Sequence, residues 1–477
     1  MMQIIIDSKM RIKNFTPAIH KWCRENLILD NPDYYKKERM GKWTGSTPKN
    51  IYLYEVMGDE LWLPFGCIQD VWRMCLHGVS WNVKFSPFRA FNYGSNINLY
   101  NYQEKAVNAV IKAKNGVLVM PCGSGKTQCG LEIISRLGGR ALWLTHTQDL
   151  LNQSKQRAES VLDDVGGGTI TAGKVSLGKG ITFATVQTMA KLDLSEYKDY
   201  WDVIIVDECQ RAAGSPTKVT QFYKVLSRLS ARYKIGLTAT PKRADGLEKS
   251  MFALLGGKIH EITRAEVADT TCPVKVSVIP TGWMPNYDLV LMGDGTIDYH
   301  KVVDNMIHDK ERFDFVFKNL MTLRGATIVL ANRVEYLQEL CKAYTEGQVG
   351  DAICLSGMGQ SKAAKAERKA ALTALNTGEL DCIFCTYQLA AEGLDIPNLR
   401  YVVFATPEKD PTRVQQASGR VGRKAKGKDY GTVIDFVDSF GMYKSWQKKR
   451  EAVYKKLGYD IEEFPIAVTK KHFPDMS

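Results

Sequence analysis

A glycine-containing loop between an apolar run and a helical pattern sets the first limit on the fold of this sequence. Apolar residues 116–119 lead into residues 120–127, which read Met-Pro-Cys-Gly-Ser-Gly-Lys-Thr. This order is typical of a buried strand, a phosphate-binding loop and a helix, with backbone N–H groups facing the phosphate oxygens. Lys126 would reach the outer phosphates and Thr127 would hold Mg²⁺. A plain glycine turn is the alternative, and Met120 stands where the strict pattern has Gly.

The composition is that of a soluble, globular and basic protein. With 477 residues, of which 44% are apolar and 24% charged, the chain is long enough for about three domains and shows no bulk disorder. The net charge of +12 favours a polyanionic partner such as nucleic acid, although the same excess can serve solubility alone.

Cysteine usage and the lack of long apolar runs bear on location. The eleven cysteines are an odd number scattered through apolar segments, which favours a reducing compartment over a disulfide framework. Cys67, Cys75 and His77 form an incomplete zinc set, and residues 382–385 look like a buried strand, so structural cysteines are the preferred interpretation. No apolar run approaches the ~20 residues of a membrane span, and residues 1–7 meet a charge too early for a signal peptide. We therefore expect a cytoplasmic protein that contacts no membrane.

Residues 1–97 differ in texture from the rest of the chain. They hold five of the nine tryptophans, many tyrosines and short strand-like pieces. We expect a small α+β accessory domain that binds nucleic acid through basic residues and stacked rings, although most of the rings would belong to its core. Phe65, between a proline and a glycine, is the ring expected to be exposed and to contact nucleic acid. A helix is expected over residues 17–29, with Thr16 as its cap.

From residue 98 the chain alternates apolar strands with helices in two successive series, which is typical of parallel sheets wrapped by helices. The expected strands are residues 116–120, 141–144, 181–184, 203–206 and 234–237 in the first series and 326–330, 352–355, 382–385, 401–404 and 431–436 in the second. Each strand of the first series ends beside a polar motif, where ligands bind in open α/β sheets. A linker near 281–294 separates the series, so we expect domains at 98–282 and 283–440 and a basic helical tail at 441–477. The tail could lie on a phosphate backbone, but a solvated face is the commoner explanation.

Two further motifs carry charge suited to phosphate chemistry. Asp207 and Glu208 end an apolar strand, where the first carboxylate can hold Mg²⁺ and the second can polarise an attacking water. An acidic pair at a strand end is also common as a helix cap, so its weight comes from the phosphate loop in the same sheet. Arg420 and Arg423 are expected on one helical turn, facing one way, where they could stabilise charge on a transferred phosphoryl group. They would complete, from the second series, a site that ATP closes and hydrolysis reopens.

The ordered motifs between residues 99 and 423 resemble those of the superfamily 2 helicases and translocases, which have two tandem RecA-like domains. Tyr102 and Gln103 resemble the adenine-reading element. The phosphate loop resembles motif I, with nucleotide-binding residues Pro121, Cys122, Gly123, Ser124, Gly125, Lys126 and Thr127. The resemblance implies contacts to a nucleic-acid backbone by Thr145, Thr185, Gln187, Arg333 and Thr386. It also implies nucleotide contacts by Gly393 and Asp395 of motif V.

Within this superfamily, residues 121–127 and 238–245 are most similar to the XPB type and to its phage relatives, the UvsW-like helicases that migrate branched DNA. Met120 is then a tolerated variant. DEAD-box RNA helicases are a poorer match, because motif II reads Asp-Glu-Cys-Gln. Gln210 replaces the usual His of motif II, although its amide can both donate and accept hydrogen bonds. Residues 243–245 only approximate the Arg-Glu-Asp of XPB relatives.

The resemblance implies an ATP-dependent DNA helicase or double-strand translocase that uses ATP and Mg²⁺ and remodels branched or forked DNA in replication, recombination or repair. The implied catalytic residues are Lys126, Asp207, Glu208, Gln210, Gln416, Arg420 and Arg423. We expect a monomer in the cytoplasm of a bacterium or phage-infected host, with other replication or recombination proteins as further partners. The alternatives are an RNA helicase, the translocating subunit of a restriction system and, in another class, a non-hydrolysing platform that binds nucleic acid. The complete catalytic set argues against the last.

Overall fold

The structure is a computed structural model that describes residues 2–464 apart from residues 76–77, 122, 216–217, 242–244, 294, 357–360 and 392–395. The chain divides into two compact units, residues 1–263 and residues 264–477. None of the described helices combines the length and the apolar content that a membrane crossing requires. The described residues also contain no group of three or more His, Cys, Asp or Glu arranged to hold a metal ion, and His77 lies outside them.

The first unit begins with the accessory domain. Its elements are β1 (Met2–Ile6), β2 (Lys9–Lys13), α1 (Pro17–Asn26), β3 (Ile28–Asp30), α2 (Pro32–Arg39), β4 (Asn50–Tyr52), β5 (Glu55–Met57), β6 (Glu60–Pro64), α3 (Ile68–Met74) and β7 (Val79–Val83). Five of the strands form a mixed sheet in the order β5-β6-β2-β1-β7. Alternate residues of β1, β2 and β6 are buried, with Ile4, Met10 and Leu61 at 0% exposure, so one face of this sheet carries the core. The predicted α+β character is therefore present.

Helix α1 is shorter than predicted. The Thr16 hydroxyl accepts a hydrogen bond from the Ile19 N–H, which confirms the predicted cap. The helix ends at Asn26 rather than at residue 29, because residues 28–30 pair with β4 as a short antiparallel strand.

The α/β domain of the first unit surrounds an eight-stranded sheet. Its elements are α4 (Asn101–Ala113), β8 (Gly116–Val119), α5 (Lys126–Leu137), β9 (Ala141–Thr145), α6 (Gln148–Val161), β10 (Gly168–Thr171), β11 (Lys174–Ser176), β12 (Ile181–Thr185), α7 (Val186–Met189), β13 (Val203–Asp207), α8 (Gln221–Leu226), β14 (Tyr233–Thr238), α9 (Glu248–Leu255) and β15 (Lys258–Glu261). The strand order is β11-β10-β12-β9-β13-β14-β8-β15, and only the pairing of β10 with β11 is antiparallel. All five predicted strands are present. Every residue of β8, β9, β12 and β13 is buried, as expected for parallel strands covered on both faces.

The accessory domain is docked onto the α/β domain of its own unit. Gly66 packs so closely that a Cβ there would lie 2.4 Å from the Gly256 nitrogen and from the Phe252 oxygen. Phe65 is 3% exposed, and the Lys234 ammonium lies 4.3 Å from its ring centroid. The expectation of an exposed Phe65 that contacts nucleic acid is therefore wrong, because this ring is used to join the two domains.

The second unit is another α/β domain. Its elements are β16 (Val274–Pro280), α10 (Tyr287–Val290), α11 (Tyr299–Ile307), α12 (Lys310–Leu320), β17 (Thr327–Ala331), α13 (Val334–Glu346), β18 (Ala352–Cys354), α14 (Lys362–Thr377), β19 (Cys382–Thr386), α15 (Tyr387–Ala391), β20 (Tyr401–Phe404), α16 (Pro411–Ser418), β21 (Gly431–Val437), α17 (Gly441–Lys456) and β22 (Asp460–Glu463). These form a parallel sheet in the order β18-β19-β17-β20-β21-β16-β22, which contains all five strands predicted for the second series.

The structure corrects two predicted boundaries in this part of the chain. Strand β16 pairs with β21 along its whole length, so residues before 282 already belong to the second sheet and the predicted boundary there is too late. Helix α17 is not a detached basic tail. Its Arg450 side chain is 1% exposed and donates to Asp435 at 2.8 Å, and β22 after the helix pairs with β16.

Candidate active site

The phosphate loop joins β8 to α5 in the first unit. Gly123 and Gly125 have φ angles of +83° and +84°, a region that favours glycine. Met120 is fully buried, its φ is not positive, and its N–H donates to the Thr238 oxygen at 2.8 Å. No glycine is therefore required at position 120, which explains the departure from the strict pattern. Cys122 lies outside the described residues.

Two side chains of α4 donate hydrogen bonds to the phosphate loop. The Gln103 amide donates to the Ser124 oxygen at 2.8 Å and accepts from the Tyr100 N–H at 3.0 Å. The Tyr102 hydroxyl donates to the same Ser124 oxygen at 3.5 Å. Gln103 is 1% exposed, and a Cβ at Gly125 would lie 2.4 Å from its nitrogen. In this structure Gln103 therefore braces the loop, and the reading of adenine by Tyr102 and Gln103 stays a prediction.

The acidic pair stands at the carboxyl end of β13, one strand away from β14 and two from β8. Asp207 is 6% exposed, and the Glu208 carboxylate lies 3.9 Å from the Lys126 ammonium. Glu208 has φ 50° and ψ 49°, a left-handed conformation that costs a non-glycine residue about 1–3 kcal/mol. Such strain persists where the surrounding structure holds the backbone in place. Here the surrounding structure holds Glu208 in this conformation, immediately after the buried Asp207. The sequence prediction that Lys126, Asp207 and Glu208 share one edge is confirmed in geometry.

The electrostatics around Asp207 suit a cation. Burial and the neighbouring Glu208 carboxylate raise the pKa of Asp207 to about 7, while Lys126 acts in the opposite direction. A divalent ion would relieve both effects, since it neutralises the carboxylate pair where water is excluded. Thr127, the second residue of α5, follows the phosphate loop and is half-buried. Asp207 and Thr127 are thus the candidate Mg²⁺ ligands.

Gln210 connects the acidic pair to the end of β14. Its amide nitrogen donates to Glu208 Oε2 at 2.7 Å, and its amide oxygen accepts from the Thr238 hydroxyl at 2.7 Å. Thr238 Oγ1 in turn accepts from the Thr240 N–H at 3.0 Å. The hydrogen-bonding capacity expected of Gln210 in place of His is therefore used on both sides.

The residues of the first unit that were expected to contact a nucleic-acid backbone differ in their exposure. Thr145 and Thr185 are adjacent in the pairing of β9 with β12 but are 0% and 6% exposed. Their hydroxyls donate inward, to the Thr147 oxygen and to the Thr188 hydroxyl respectively. The structure thus contradicts side-chain contacts from these two threonines. Gln187 is exposed and donates to the His146 oxygen at 2.8 Å, so it remains a candidate.

In the second unit, Arg420 and Arg423 follow α16. Residues 419–422 form a short 3₁₀ turn, and Arg423 beyond it is extended, so the two arginines do not share one helical turn as predicted. The Cys272 N–H donates to the Gly422 oxygen at 3.0 Å, and the buried Lys428 ammonium donates to the Arg423 oxygen at 2.9 Å. Burial lowers the pKa of Lys428 to about 8. Sequence reasoning missed both bracing residues, although the position of Lys428 shortly after Arg423 was a usable signal.

The remaining predicted residues of the second unit are only partly described. Arg333 donates to Asp304 at 3.3 Å, and Thr386 at the end of β19 accepts from the Leu389 N–H at 3.4 Å. Gln416 is half-buried in α16. Gly393 and Asp395 lie outside the described residues, as do residues 243 and 244. The roles of these residues, and the joining of Arg420 and Arg423 to the site around Lys126, stay predictions.

Two family models match the chain in the order its two α/β domains require. The model of the type III restriction enzyme res subunit matches residues 96–243, and the helicase conserved C-terminal domain matches residues 311–425. The chain belongs to the superfamily 2 helicases. The resemblance to superfamily 2 helicases is confirmed, and so is the predicted fold of two tandem α/β domains. Membership of this family makes the protein an ATP-dependent helicase.

Relatives of this superfamily 2 helicase act on different nucleic acids, according to their names. "Putative ATP-dependent RNA helicase L396" of Acanthamoeba polyphaga mimivirus is 26% identical over 77% of this chain and 69% of that protein. "DNA 3'-5' translocase XPB2" of Sulfurisphaera tokodaii is 35% identical, but the alignment spans 36% of this chain and 37% of that protein. The structure of the ATP-dependent Type ISP restriction-modification enzyme LlaBIII bound to DNA covers 76% of this chain and 30% of that one, with a TM-score of 0.56 and 17% identity. This last likeness shows the fold alone.

The bridge made by Gln210 leads to a prediction for this helicase. Gln210→Ala removes the donor to Glu208 and the acceptor for Thr238, and a hydrogen bond to a charged group is worth about 1.5–3 kcal/mol. We expect kcat for ATP hydrolysis to fall by roughly 10- to 100-fold with little change in KM. Steady-state ATPase measurements check this, with Gln221→Ala at the exposed start of α8 as the control. An unchanged kcat would show that Gln210 only fills space.

Proposed function

We propose that this superfamily 2 helicase couples ATP hydrolysis to movement on, or remodelling of, branched or forked DNA in replication, recombination or repair. The observation that carries this function is the connected edge of the first sheet, where Lys126 meets Glu208 and Gln210 links Glu208 to Thr238. A binding platform without hydrolysis has no chemical need for this arrangement. DNA as the substrate is supported by the similarity to the XPB2 translocase and by the net charge of +12.

Each residue of the edge has a role in this proposal. Loop N–H groups and Lys126 bind the phosphates, and Asp207 with Thr127 would hold Mg²⁺. ATP with its Mg²⁺, when bound, supplies the phosphoanhydride bond that is broken. Glu208 orients the attacking water and accepts its proton, from a position fixed by Gln210 and by its own left-handed backbone. Arg420 and Arg423 are the proposed arginine fingers of the second unit.

RNA is the second candidate substrate, favoured by the similarity to the mimivirus protein named as an RNA helicase. Contacts to a phosphate backbone carry no base sequence and do not by themselves separate DNA from RNA. ATPase activity measured in parallel with Holliday junction, fork, duplex and single-stranded DNA and with single-stranded and duplex RNA separates the two. We expect the largest stimulation with branched DNA. Stimulation by RNA alone would replace this proposal with the RNA helicase.

Lys126→Ala tests the nucleotide site itself. Because the ammonium lies 3.9 Å from Glu208 at the phosphate loop, its loss is expected to lower the ATPase rate by about 100-fold or more while DNA binding is largely retained. Filter binding and steady-state ATPase measure the two properties. The control is Lys155→Ala on α6, where the ammonium pairs at 3.8 Å with the exposed Glu159. Equal ATP turnover by Lys126→Ala and the parent would remove Lys126 from the mechanism.

A further inference from the structure

The loop between α2 and β4 of the accessory domain, residues 40–49, displays a tryptophan to solvent. Trp43 is 77% exposed, the highest value among the large apolar side chains that the structure describes, and Met40 at the start of the loop is 55% exposed. An exposed indole gains nothing from burial in the protein's own core, so a binding role is the natural explanation for its position.

This loop is held in place rather than loosely attached. Asn31 at the start of α2 donates its backbone N–H to the Lys49 oxygen at 2.9 Å and its side-chain amide to the Pro48 oxygen at 2.7 Å. Lys37 donates to the Thr47 hydroxyl at 2.6 Å. The C-terminal end of the loop is therefore tied to α2 and its cap residue, and the exposure of Trp43 is a property of a built loop.

The charge beside Trp43 is strongly positive. Residues 36–43 contain four basic residues and one acidic residue. Lys36, Arg39 and Lys42 are exposed, and none of them makes an ion pair with any other residue that the structure describes. An exposed cationic row that forms no ion pair within the described part of the chain suits a row of phosphates.

A groove in the first unit lies beside Lys36 and Arg39 of this row. Its lining includes Met40 and the acidic Asp30 of the accessory domain and, from the α/β domain, Asp245 and Lys249. The last two residues follow shortly after the Thr238–Thr240 segment in the sequence. The groove therefore lies where the accessory domain meets this part of the α/β domain.

We propose that loop 40–49 and the end of α2 form a nucleic-acid contact in which Trp43 stacks on an unpaired base at a DNA fork while Lys36, Arg39 and Lys42 bind the adjacent phosphates. This site rests on the proposed function and specifies which surface of the accessory domain receives the DNA. A ring flanked by cations fits a base next to a phosphate backbone better than it fits a purely apolar protein surface. Loop 40–49 thus distinguishes opened from fully paired DNA.

The test compares Trp43→Ala, Trp43→Phe and the triple variant Lys36→Gln, Arg39→Gln, Lys42→Gln in the full-length chain. The Kd for fork, single-stranded and fully paired DNA is measured at several salt concentrations. We expect Trp43→Ala to weaken fork and single-strand binding by roughly 5- to 100-fold with much less effect on the duplex, and Trp43→Phe to restore most of it. The triple variant should weaken all DNA binding and reduce the slope of log K against log salt by about 2–3.

Controls separate this site from the ATPase and from the fold. Met57→Ala removes another exposed apolar side chain of the same domain, and Lys21→Gln removes an exposed charge on α1. Both controls should bind DNA as the parent does, and DNA-free ATPase should be unchanged in every variant. If the parent binds fork DNA and is stimulated by it while the Trp43 and triple variants match it, loop 40–49 is not the contact. Binding of the loop to a protein instead would likewise overturn the proposal, and a parent that responds to no DNA would sink the proposed function first.

Discussion

Glu208→Gln is expected to lower the ATPase rate by roughly two to four orders of magnitude while ATP binding is retained. The amide keeps the shape of the carboxylate and can still accept the hydrogen bond from Gln210, which measures 2.7 Å in the structure. It cannot accept a proton from water, so the loss falls on the chemical step. Steady-state ATPase at saturating DNA measures the rate, and a fluorescent ATP analogue measures binding.

Two comparisons make this result specific. Glu159→Gln changes an acid on α6 that is 52% exposed and lies 3.8 Å from Lys155, and it should leave the rate unchanged. The backbone of Glu208 is left-handed, so the variant must also keep its thermal stability for the comparison to report chemistry. A Glu208→Gln protein that is stable and hydrolyses ATP at the parent rate would assign the base elsewhere.

Strands were predictable because their burial leaves a direct mark on the sequence. Parallel strands covered on both faces become continuous apolar runs, and β8, β9, β13, β17 and β20 were found in this way. The polar motifs at their carboxyl ends then had to share one edge of a sheet. Lys126 and Glu208 meet there, 3.9 Å apart, although 82 positions separate them in the sequence.

Side-chain direction at these edges was less predictable, because it depends on partners distant in the chain. Thr145 and Thr185 were expected to contact a nucleic-acid backbone, but their hydroxyls donate to the Thr147 oxygen before α6 and to the Thr188 hydroxyl in α7. Phe65 was expected in solvent, but Lys234, from another domain, covers its ring. Each error has the same physical origin. A local pattern reports whether a residue can be exposed, while a contact from a distant segment decides whether it is.

The second unit shows the same dependence in its charged residues. Arg450 belongs to the segment predicted as a basic helical tail, and no prediction was made for Arg312 from the sequence. Both side chains are at most 1% exposed, and they pair with Asp435 in β21 and with Asp438 directly after it, respectively. Burial works against each charge, and the paired carboxylates reverse this, so the pKa of each arginine is raised. These pairs fix α12 and α17 on the sheet that carries the proposed arginine fingers.

Arg312→Met is expected to lower the free energy of unfolding of the second unit by about 3–5 kcal/mol. Arg312 donates to Asp438 at 2.7 and 3.0 Å, to the Tyr336 hydroxyl at 3.1 Å and to the Ala405 oxygen at 2.8 Å. Its loss leaves the Asp438 carboxylate at 0% exposure without the cation that faced it, so the desolvation of Asp438 is no longer compensated. Hydrogen exchange of the amides in β17, β20 and β21 measures the change.

The two units and a second substitution supply the controls for this prediction. Amides of β13 in the first unit should exchange as in the parent. Arg324→Met removes an exposed guanidinium that donates to the Met321 and Leu323 backbone oxygens, and it should change stability by less than about 0.5 kcal/mol. Adding Asp438→Asn to Arg312→Met removes the stranded charge and should restore part of the loss. If Arg312→Met were as stable as Arg324→Met, the buried pair would contribute no more than a surface arginine. The fixed placement of α12 would then have to come from apolar packing around Val316 and Leu320, which are 0% and 1% exposed.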